Sequence, residues 1–504
     1  MRVFFKIFRF VLPIIFLVIY ALTAQRGVAW QDSGIYQWRI LYRDFVGVND
    51  LSSAHPGYIL LTRFLCGLMS AYMDVDLPFA VNLCSALWMG LALCVFQRIV
   101  FSLTRSDFAS ILATLTFGGA HMVWWLATIT EIYPLSLFLL ACETLCAVSV
   151  LQSKKLGWAF SLLPFFAGLG FAVHNLALLS LPLCVAVMVY VGFIRDSGRG
   201  DGSKMYGLFD TVEFLLKYIF VWCCGASPVL VLICREYLGG TPIGIVILRT
   251  LFGAYGDEVM GLSGVSWKLT MVNLAIASIS FLMPAWIIFA LDLRKAFAAF
   301  RFGWRKRIDV VYIFALFVIH AIFFVRYRIA DQALFLLPTL FFATLLASLR
   351  FESICRKRLA LALTVASAVL VPVIINGILH IGPIESRILA GKGRLLPYRD
   401  ELRYWAIPWK HNEYSAELFA EDVIEKMDAM PGKKLFADTT SAPPIMLRLS
   451  ERRELWEFYT PWNDNLGFVS SAKNGETVFA ISPIDGYCPK EALKSGNVLP
   501  LFTP

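Results

Sequence analysis

The chain has 504 residues, of which 58% are hydrophobic and 16% are charged, and its mean hydropathy is +0.68. This composition excludes an ordinary soluble globular protein and indicates a polytopic α-helical membrane protein. The formal net charge of +9 would suit an acidic partner, but the basic residues follow the pattern that membrane orientation imposes. We therefore exclude nucleic acid as a partner.

Apolar runs long enough to cross a bilayer recur through the first 380 residues. We assign residues 1–380 to a transmembrane domain that contacts membrane lipids. The sequence predicts eleven spans, near residues 4–24, 77–97, 107–127, 132–152, 157–173, 175–194, 212–236, 268–291, 309–325, 332–349 and 359–380.

The segment 55–72 is short for a crossing, yet it decides the orientation of everything after it. If it does not cross, the cytoplasmic loops hold seventeen Lys and Arg residues, against three in the outer connections beyond the first loop and the tail. Because cytoplasmic loops carry the basic excess, we interpret 55–72 as an interfacial helix within a large outer loop, 25–76. The N-terminus is then cytoplasmic, and residues 381–504 form a soluble domain on the outer, periplasmic side.

In this topology, the polar residues that a membrane chain tolerates least converge on the outer face. The first is Asp32, which Ser33 and Gly34 follow, so that the backbone can turn tightly there. A carboxylate beside a membrane span can act as general base toward an acceptor hydroxyl. An Asx-turn, or an N-cap for a helix beginning near Ile35, explains the same residue without catalysis.

Candidates for substrate binding lie at the outer ends of the spans. Glu131 and Tyr133 can hold sugar hydroxyls, although Glu131 also suits the N-terminal end of a helix dipole. His174 and Asn175 interrupt two apolar runs, where a turn between helices explains them as well as a ligand does. His55, at the start of the interfacial helix, belongs to the same outward-facing set.

A basic pair, Arg326 and Arg328, interrupts the outer end of a helical hairpin. The positive-inside rule disfavours basic residues on that side. Guanidinium groups bind phosphate oxygens in a bidentate manner, and a lipid-linked donor would place its phosphate at this depth. The alternative is a salt bridge between one arginine and Asp331, which we regard as a supporting residue, with the arginines snorkelling to the interface.

Taken in order, these motifs resemble the protein O-mannosyltransferase-like, GT-C type membrane glycosyltransferases. The resemblance runs from Asp32 to about Pro338. It rests on Asp32 in a long first outer loop, His-Pro-Gly-Tyr at 55–58, Thr-Glu-Ile-Tyr at 130–133, Gly-Leu-Gly-x-x-x-His-Asn at 168–175 and Arg-Tyr…Asp…Phe-Leu-Leu-Pro at 326–338.

The resemblance implies an inverting transferase that uses a polyprenyl-phosphate sugar, with mannose as the suggested sugar, on the outer face of a bacterial plasma membrane. It implies Asp32 as the base and a protein, lipid or glycan as the acceptor. The lipid-linked sugar is a co-substrate, and we expect no cofactor. We also expect no metal, because Asp32, Asp44 and Asp50 have no metal-ligand spacing.

Two other functions stay open. A lipid or solute transporter, including a flippase, predicts ionisable residues in the middle of spans and inverted repeats, whereas the unusual polar residues lie at outer ends, with His320 as the exception. An inactive scaffold for envelope assembly would keep the topology and lose the base. Ile35, which stands where the family often carries a second acid, keeps this alternative open.

The tail, 381–504, is predicted to be mixed α/β. Helical periodicity covers 413–430 and stops at Pro431-Gly432, while 434–438 and 477–481 have the character of short strands. The sequence shows no catalytic motif there, so we expect an acceptor-binding or structural role.

Overall fold

The computed structural model describes most of the chain. The described residues are 2–47, 50–153, 157–190, 208–253, 256–257, 267–284, 286, 307–329, 331–354, 356–390, 395–430, 434–449, 457–460, 465–482 and 487–501.

In its described ranges, the part before the tail is built from helices. Short 3₁₀ helices lie at Leu51–Ser53, Asn175–Leu179 and Gln332–Phe335. The α-helices are α1 (Arg2–Thr23), α2 (Gln31–Tyr42), α3 (Pro56–Tyr72), α4 (Leu77–Thr104), α5 (Asp107–Gly118), α6 (His121–Thr128), α7 (Tyr133–Gln152), α8 (Trp158–Val173), α9 (Leu181–Val189), α10 (Leu208–Leu238), α11 (Ile243–Leu251), α12 (Trp267–Ile279), α13 (Ile308–Arg326), α14 (Leu336–Phe351), α15 (Lys357–Leu379) and α16 (Gly382–Leu389).

Seven helices within the described ranges are long and apolar enough to cross a membrane, and α5 with α6, bent by 63°, would make an eighth span. The predicted span 175–194 begins instead as a 3₁₀ helix followed by the nine-residue α9, and its last residues, 191–194, lie outside the described residues. In the predicted span 268–291, most of the residues after Phe281 likewise lie outside the described residues. The protein is thus a multi-helix membrane protein, but the count of eleven spans is not confirmed.

The helix α3 occupies the predicted interfacial segment, 55–72, almost residue for residue. With 17 residues, it is not among the helices that qualify as spans. Its side of the membrane stays a prediction.

At the centre of the bundle, α4 packs against α1, α5 and α7. Phe96 of α4 stacks on Phe117 of α5 with ring centroids 4.9 Å apart, and both rings meet Phe341 of α14 edge-on. All three side chains are fully buried. This dense packing gives the loops at the helix ends a firm base.

A buried carboxyl lies inside the bundle where the sequence analysis overlooked it. Glu143, in the middle of α7, accepts a hydrogen bond from the Cys184 thiol at 2.9 Å. The description of His320 as the exception among span residues was therefore wrong.

The tail contains a small parallel sheet with helices around it. Its strands are β1 (Lys434–Phe436), β2 (Glu457–Tyr459), β3 (Val478–Ala480) and β4 (Val498–Pro500), in the order β2-β1-β3-β4. Its helices are α17 (Glu401–Ala406), α18 (Ser415–Ala429), α19 (Ala442–Arg448), α20 (Asn465–Lys473) and α21 (Lys490–Leu493). The predicted helix and both predicted strands are confirmed, while Pro431-Gly432 lies outside the described residues.

The tail is docked on the start of the chain. The indole of Trp30 donates to Ser415 Oγ at 2.8 Å, and Glu417 accepts a hydrogen bond from the Val28 N–H at 3.1 Å. The backbone N–H of Lys410 donates to the carbonyl of Thr23, the last residue of α1, at 2.7 Å. These bonds hold the tail against the segment that leads into α2.

Candidate active site

A cavity of about 570 Å³ lies between α2, the turns at the ends of α8 and α13, and the start of α7. Its size suits a small-molecule or lipid-headgroup ligand. Its polar lining consists of Asp32, Tyr36, Arg39, Ser52, Ser53, His55, Tyr133, His174, Asn175, Tyr327 and Asp331, and its apolar lining of Ile35, Ile132, Leu176, Leu178, Leu179, Leu251, Phe252, Phe323, Ile329 and Phe335.

Helix α2 presents Asp32 to the cavity by ordinary helical periodicity. Asp32, Ile35, Tyr36 and Arg39 are spaced i, i+3, i+4 and i+7, so they share one face, and all four line the cavity. Asp32 thus lies in the first turn of α2 but belongs to the wall of the cavity.

The opposite face of α2 approaches other backbone so closely that only glycine fits there. A Cβ on Gly34 would lie 2.2 Å from the carbonyl oxygen of Ala29 and 2.9 Å from Cβ of Pro443 in α19. Gly34 therefore allows α2 to lie between the cavity and the tail.

Asp32 lies near a second carboxyl group, that of Asp331. Burial, with a further contribution from the charge of Asp331, raises the pKa of Asp32 to about 6. Burial also raises the pKa of Asp331. Asp32 can therefore lose and regain a proton near neutral pH, as a general base requires.

Glu131 does not line the cavity and lies just behind it. Its carboxyl accepts a weak hydrogen bond from Ser33 Oγ at 3.5 Å. Burial raises its pKa well above the usual range, and the charges of Asp32 and Asp331 raise it further. Glu131 consequently keeps its proton to higher pH than an ordinary glutamate, which suits a neutral partner behind Asp32.

A buried polar network fixes the turn that carries Glu131. Thr130 Oγ1 donates to Asn82 Oδ1 at 2.6 Å, and Gln37 Nε2 donates to Asn82 Oδ1 at 3.4 Å. Because all three side chains are fully buried, these bonds tie the turn before α7 to both α2 and α4.

His55 and His174 come together as a stacked pair. Their ring centroids are 5.1 Å apart with an interplanar angle of 17°, and Tyr133 lies 5.6 Å from the His174 ring. His55 has a left-handed backbone, with φ at 47°, which is a strained conformation for this residue type. A hydrogen bond between His55 Nδ1 and the Val173 carbonyl, 2.9 Å long, holds it there.

Asn175 lines the cavity, but its amide is used for structure. Its Nδ2 donates to the carbonyl oxygens of Thr250 at 2.8 Å and Leu251 at 3.3 Å. This anchors the end of α11, where Leu251 and the following residue, Phe252, form part of the apolar wall.

Arg326 and Arg328 do not line the cavity, although Tyr327 and Ile329 beside them do. Arg326 is exposed, and the guanidinium of Arg328 lies 4.2 Å from the ring centroid of Trp267. Asp331, predicted as a supporting residue, lines the cavity.

Arg39 is a cation in the cavity wall that was not among the residues predicted from the sequence. Its guanidinium donates to the carbonyl oxygens of Asp44 at 3.2 Å, Ser53 at 3.1 Å and Ala54 at 2.5 Å. It therefore fastens the loop that follows α2 to the helix itself, beside His55. Its position seven residues after Asp32 on one helix face is the signal that could have revealed it.

Most of the chain superposes on a known structure. The crystal structure of ArnT from Cupriavidus metallidurans bound to undecaprenyl phosphate aligns with a TM-score of 0.59 and 12% identity, over 94% of this chain and 89% of that one. The chain has the fold of ArnT. The apo structure of the same protein aligns with a TM-score of 0.54 and 13% identity, over 93% and 92% of the two chains.

ArnT is a GT-C glycosyltransferase, so the predicted GT-C fold is confirmed. The finer resemblance to protein O-mannosyltransferases stays a prediction. Neither a protein-family model nor a curated protein sequence matches this chain.

Proposed function

We propose that this protein is a membrane glycosyltransferase that transfers a sugar from a polyprenyl-phosphate donor to a hydroxyl acceptor. The observation that carries the proposal is the Asp32 carboxyl, which lies in the wall of a cavity of about 570 Å³ with a pKa of about 6. The fold supports it, because ArnT with this fold binds undecaprenyl phosphate.

The proposed reaction is a single displacement at the anomeric carbon of the sugar. The acceptor oxygen forms a new bond to that carbon, the bond from the carbon to the phosphate oxygen breaks, and polyprenyl phosphate leaves with the electron pair. Asp32 takes the proton of the acceptor hydroxyl. Attack opposite the leaving phosphate inverts the configuration of the sugar.

The two sides of the cavity suit the two parts of such a donor. The apolar wall, which includes Leu178, Leu179 and Phe252, matches the first isoprene units, and the polar wall beside Asp32 matches the sugar. Arg326 and Arg328 stay our candidates for the phosphate, since they flank lining residues at the edge of the cavity. The phosphate is the charged group of the donor, and guanidinium groups bind phosphate oxygens well.

We further propose mannose as the sugar and a protein, lipid or glycan as the acceptor. The N-terminus lies in the cytoplasm and the tail on the periplasmic side of a bacterial inner membrane. The tail then contributes to acceptor binding or supports α2, against which it packs through Pro443.

One observation favours a transporter as the second candidate. Glu143 is 1% exposed within a candidate span, and ionisable groups at such depth often mark transport pathways. Its hydrogen bond with Cys184 gives it a structural role as well.

The two candidates are separated by incubating membranes that contain the protein with radiolabelled polyprenyl-phosphate sugars. A transferase moves the label to an acceptor and releases free polyprenyl phosphate in equal amount. Movement of intact labelled donor across sealed vesicles, without such release, would contradict the transferase and support the transporter.

A further inference from the structure

The stacked pair of His55 and His174 has hydrogen bonds that define which ring nitrogen carries the proton. The Val173 carbonyl can only accept, so His55 Nδ1, 2.9 Å away, must carry its hydrogen. The backbone N–H of Leu176 can only donate, so His174 Nδ1, 3.0 Å away, must be unprotonated. A neutral His55 therefore has an acceptor at Nε2, and a neutral His174 has a donor at Nε2.

Both rings are held neutral by their surroundings. Burial lowers the pKa of His174 to about 4. Burial also lowers the pKa of His55 well below its usual value, and the nearby charges of His174 and Arg39 lower it further. At neutral pH the pair is uncharged, so it offers one donor and one acceptor rather than a site for an anion.

The remaining nitrogen of each ring is available to a ligand. Both imidazoles line the cavity, and neither Nε2 atom has a hydrogen-bond partner in the described part of the chain. His55 is otherwise buried, with 8% of its surface exposed, and its side chain borders the cavity. A ligand in the cavity can therefore pair with one acceptor and one donor nitrogen.

We propose that His55 and His174 together bind one hydroxyl group of the transferred sugar, which donates to His55 Nε2 and accepts from His174 Nε2–H. This inference rests on the proposed function and adds a specificity site to it. A hydroxyl is the sugar group that combines one donor with acceptor lone pairs. The two rings are nearly parallel, with centroids 5.1 Å apart, and both line the same cavity, so one ligand in that cavity can contact both of them.

The test compares donors that differ by a single hydroxyl. Polyprenyl-phosphate mannose and its monodeoxy analogues, or the matching set for the sugar that the wild type transfers, are assayed for kcat/KM. We expect the wild type to reject one analogue by about 100-fold, because removing that hydroxyl leaves both ring nitrogens unpaired.

Two asparagine variants remove the ligand contacts and keep the structural ones. In His174→Asn the amide oxygen replaces Nδ1 as acceptor for the Leu176 N–H, and the Nε2 donor is gone. In His55→Asn the amide N–H replaces Nδ1–H toward Val173, and asparagine tolerates the left-handed backbone. We expect either variant to reduce the discrimination from about 100-fold to less than about 10-fold, mainly by loss of activity on the full sugar.

The matched control is His174→Gln, whose amide reaches the position of Nε2 and retains a donor, so it should keep more discrimination than His174→Asn. If His174→Asn is inactive with every donor, the test uses His55→Asn instead. The quantity is again the ratio of kcat/KM for the full sugar to kcat/KM for the rejected monodeoxy analogue. A wild type that transfers sugar yet accepts all monodeoxy donors equally, or asparagine variants with unchanged discrimination, would overturn the inference and leave the proposed function intact. A wild type that transfers no sugar overturns both.

Discussion

Pro443 of the tail packs directly against Gly34, two residues after Asp32 in α2. A Cβ on Gly34 would lie 2.9 Å from Cβ of Pro443, and it would also meet the Ala29 carbonyl oxygen at 2.2 Å. The helix that carries the proposed base is therefore held between the cavity on one side and the tail on the other. Any shift of α2 would move the Asp32 carboxyl relative to the substrate.

We expect Gly34→Ala to lower kcat by about 10- to 100-fold, since a misplacement of about 1 Å has effects of this order. The added methyl group must displace the backbone at Ala29. Transfer kinetics should show the loss in kcat, with thermal unfolding confirming that the protein still folds. The control is Gly377→Ala in α15, where a Cβ meets no atom within 4 Å. Equal kcat in both variants would contradict a positioning role for this contact.

The pH dependence of transfer should reflect Asp32. A general base acts when deprotonated, and the pKa of Asp32 is about 6. The rate should therefore rise with pH up to about 6 and level off above it. Because the charge of Asp331 helps to raise this pKa, Asp331→Asn should shift the acidic limb to lower pH. A rate that is unchanged between pH 5 and 8 would argue against Asp32 as the base.

Arg39 should matter for the shape of the cavity. Arg39→Lys keeps the charge but cannot reproduce the forked contacts to Ser53 and Ala54, so a buried carbonyl loses its partner. We expect a loss of about 1–3 kcal/mol in the free energy of unfolding and a higher KM for the donor. Arg43→Lys changes an exposed arginine of the same loop, and it should leave both quantities unchanged.

The phosphate proposal is tested by Arg326→Gln combined with Arg328→Gln. We expect KM for the donor to rise by about 10-fold or more, as for the loss of a charge-assisted hydrogen bond, with a smaller change in kcat. Arg387→Gln, in the exposed α16, serves as the control. An unchanged KM would assign the phosphate to another cation, and Arg39 is the one already in the cavity wall.

The placement of polar residues at the ends of apolar runs and the distribution of charge predicted several residues of this cavity. Asp32, His55, Tyr133 and His174 were singled out as polar residues that the predicted topology places together at the outer ends of spans, and the structure brings them to one cavity. Composition likewise predicted the membrane bundle and the α/β tail. These predictions use only the order and composition of residues along the chain, so they need no knowledge of which distant segments touch.

Other features depend on contacts between distant segments, which spacing does not reveal. The direction of the Arg328 side chain depends on Trp267, and the role of Asn175 depends on the end of α11. Gly34 gave a turn signal in the sequence, but its actual constraint comes from Pro443, more than 400 residues later. These partners could be found only from the folded chain.

The most direct test of the account is the rate of sugar transfer by Asp32→Asn. This substitution keeps the shape of the side chain and removes the base, so we expect kcat to fall by about 100- to 10,000-fold. Asp74→Asn, an identical change at an exposed position outside the cavity, should transfer sugar at the wild-type rate. Equal transfer by Asp32→Asn and Asp74→Asn would contradict the assignment of Asp32 as the base.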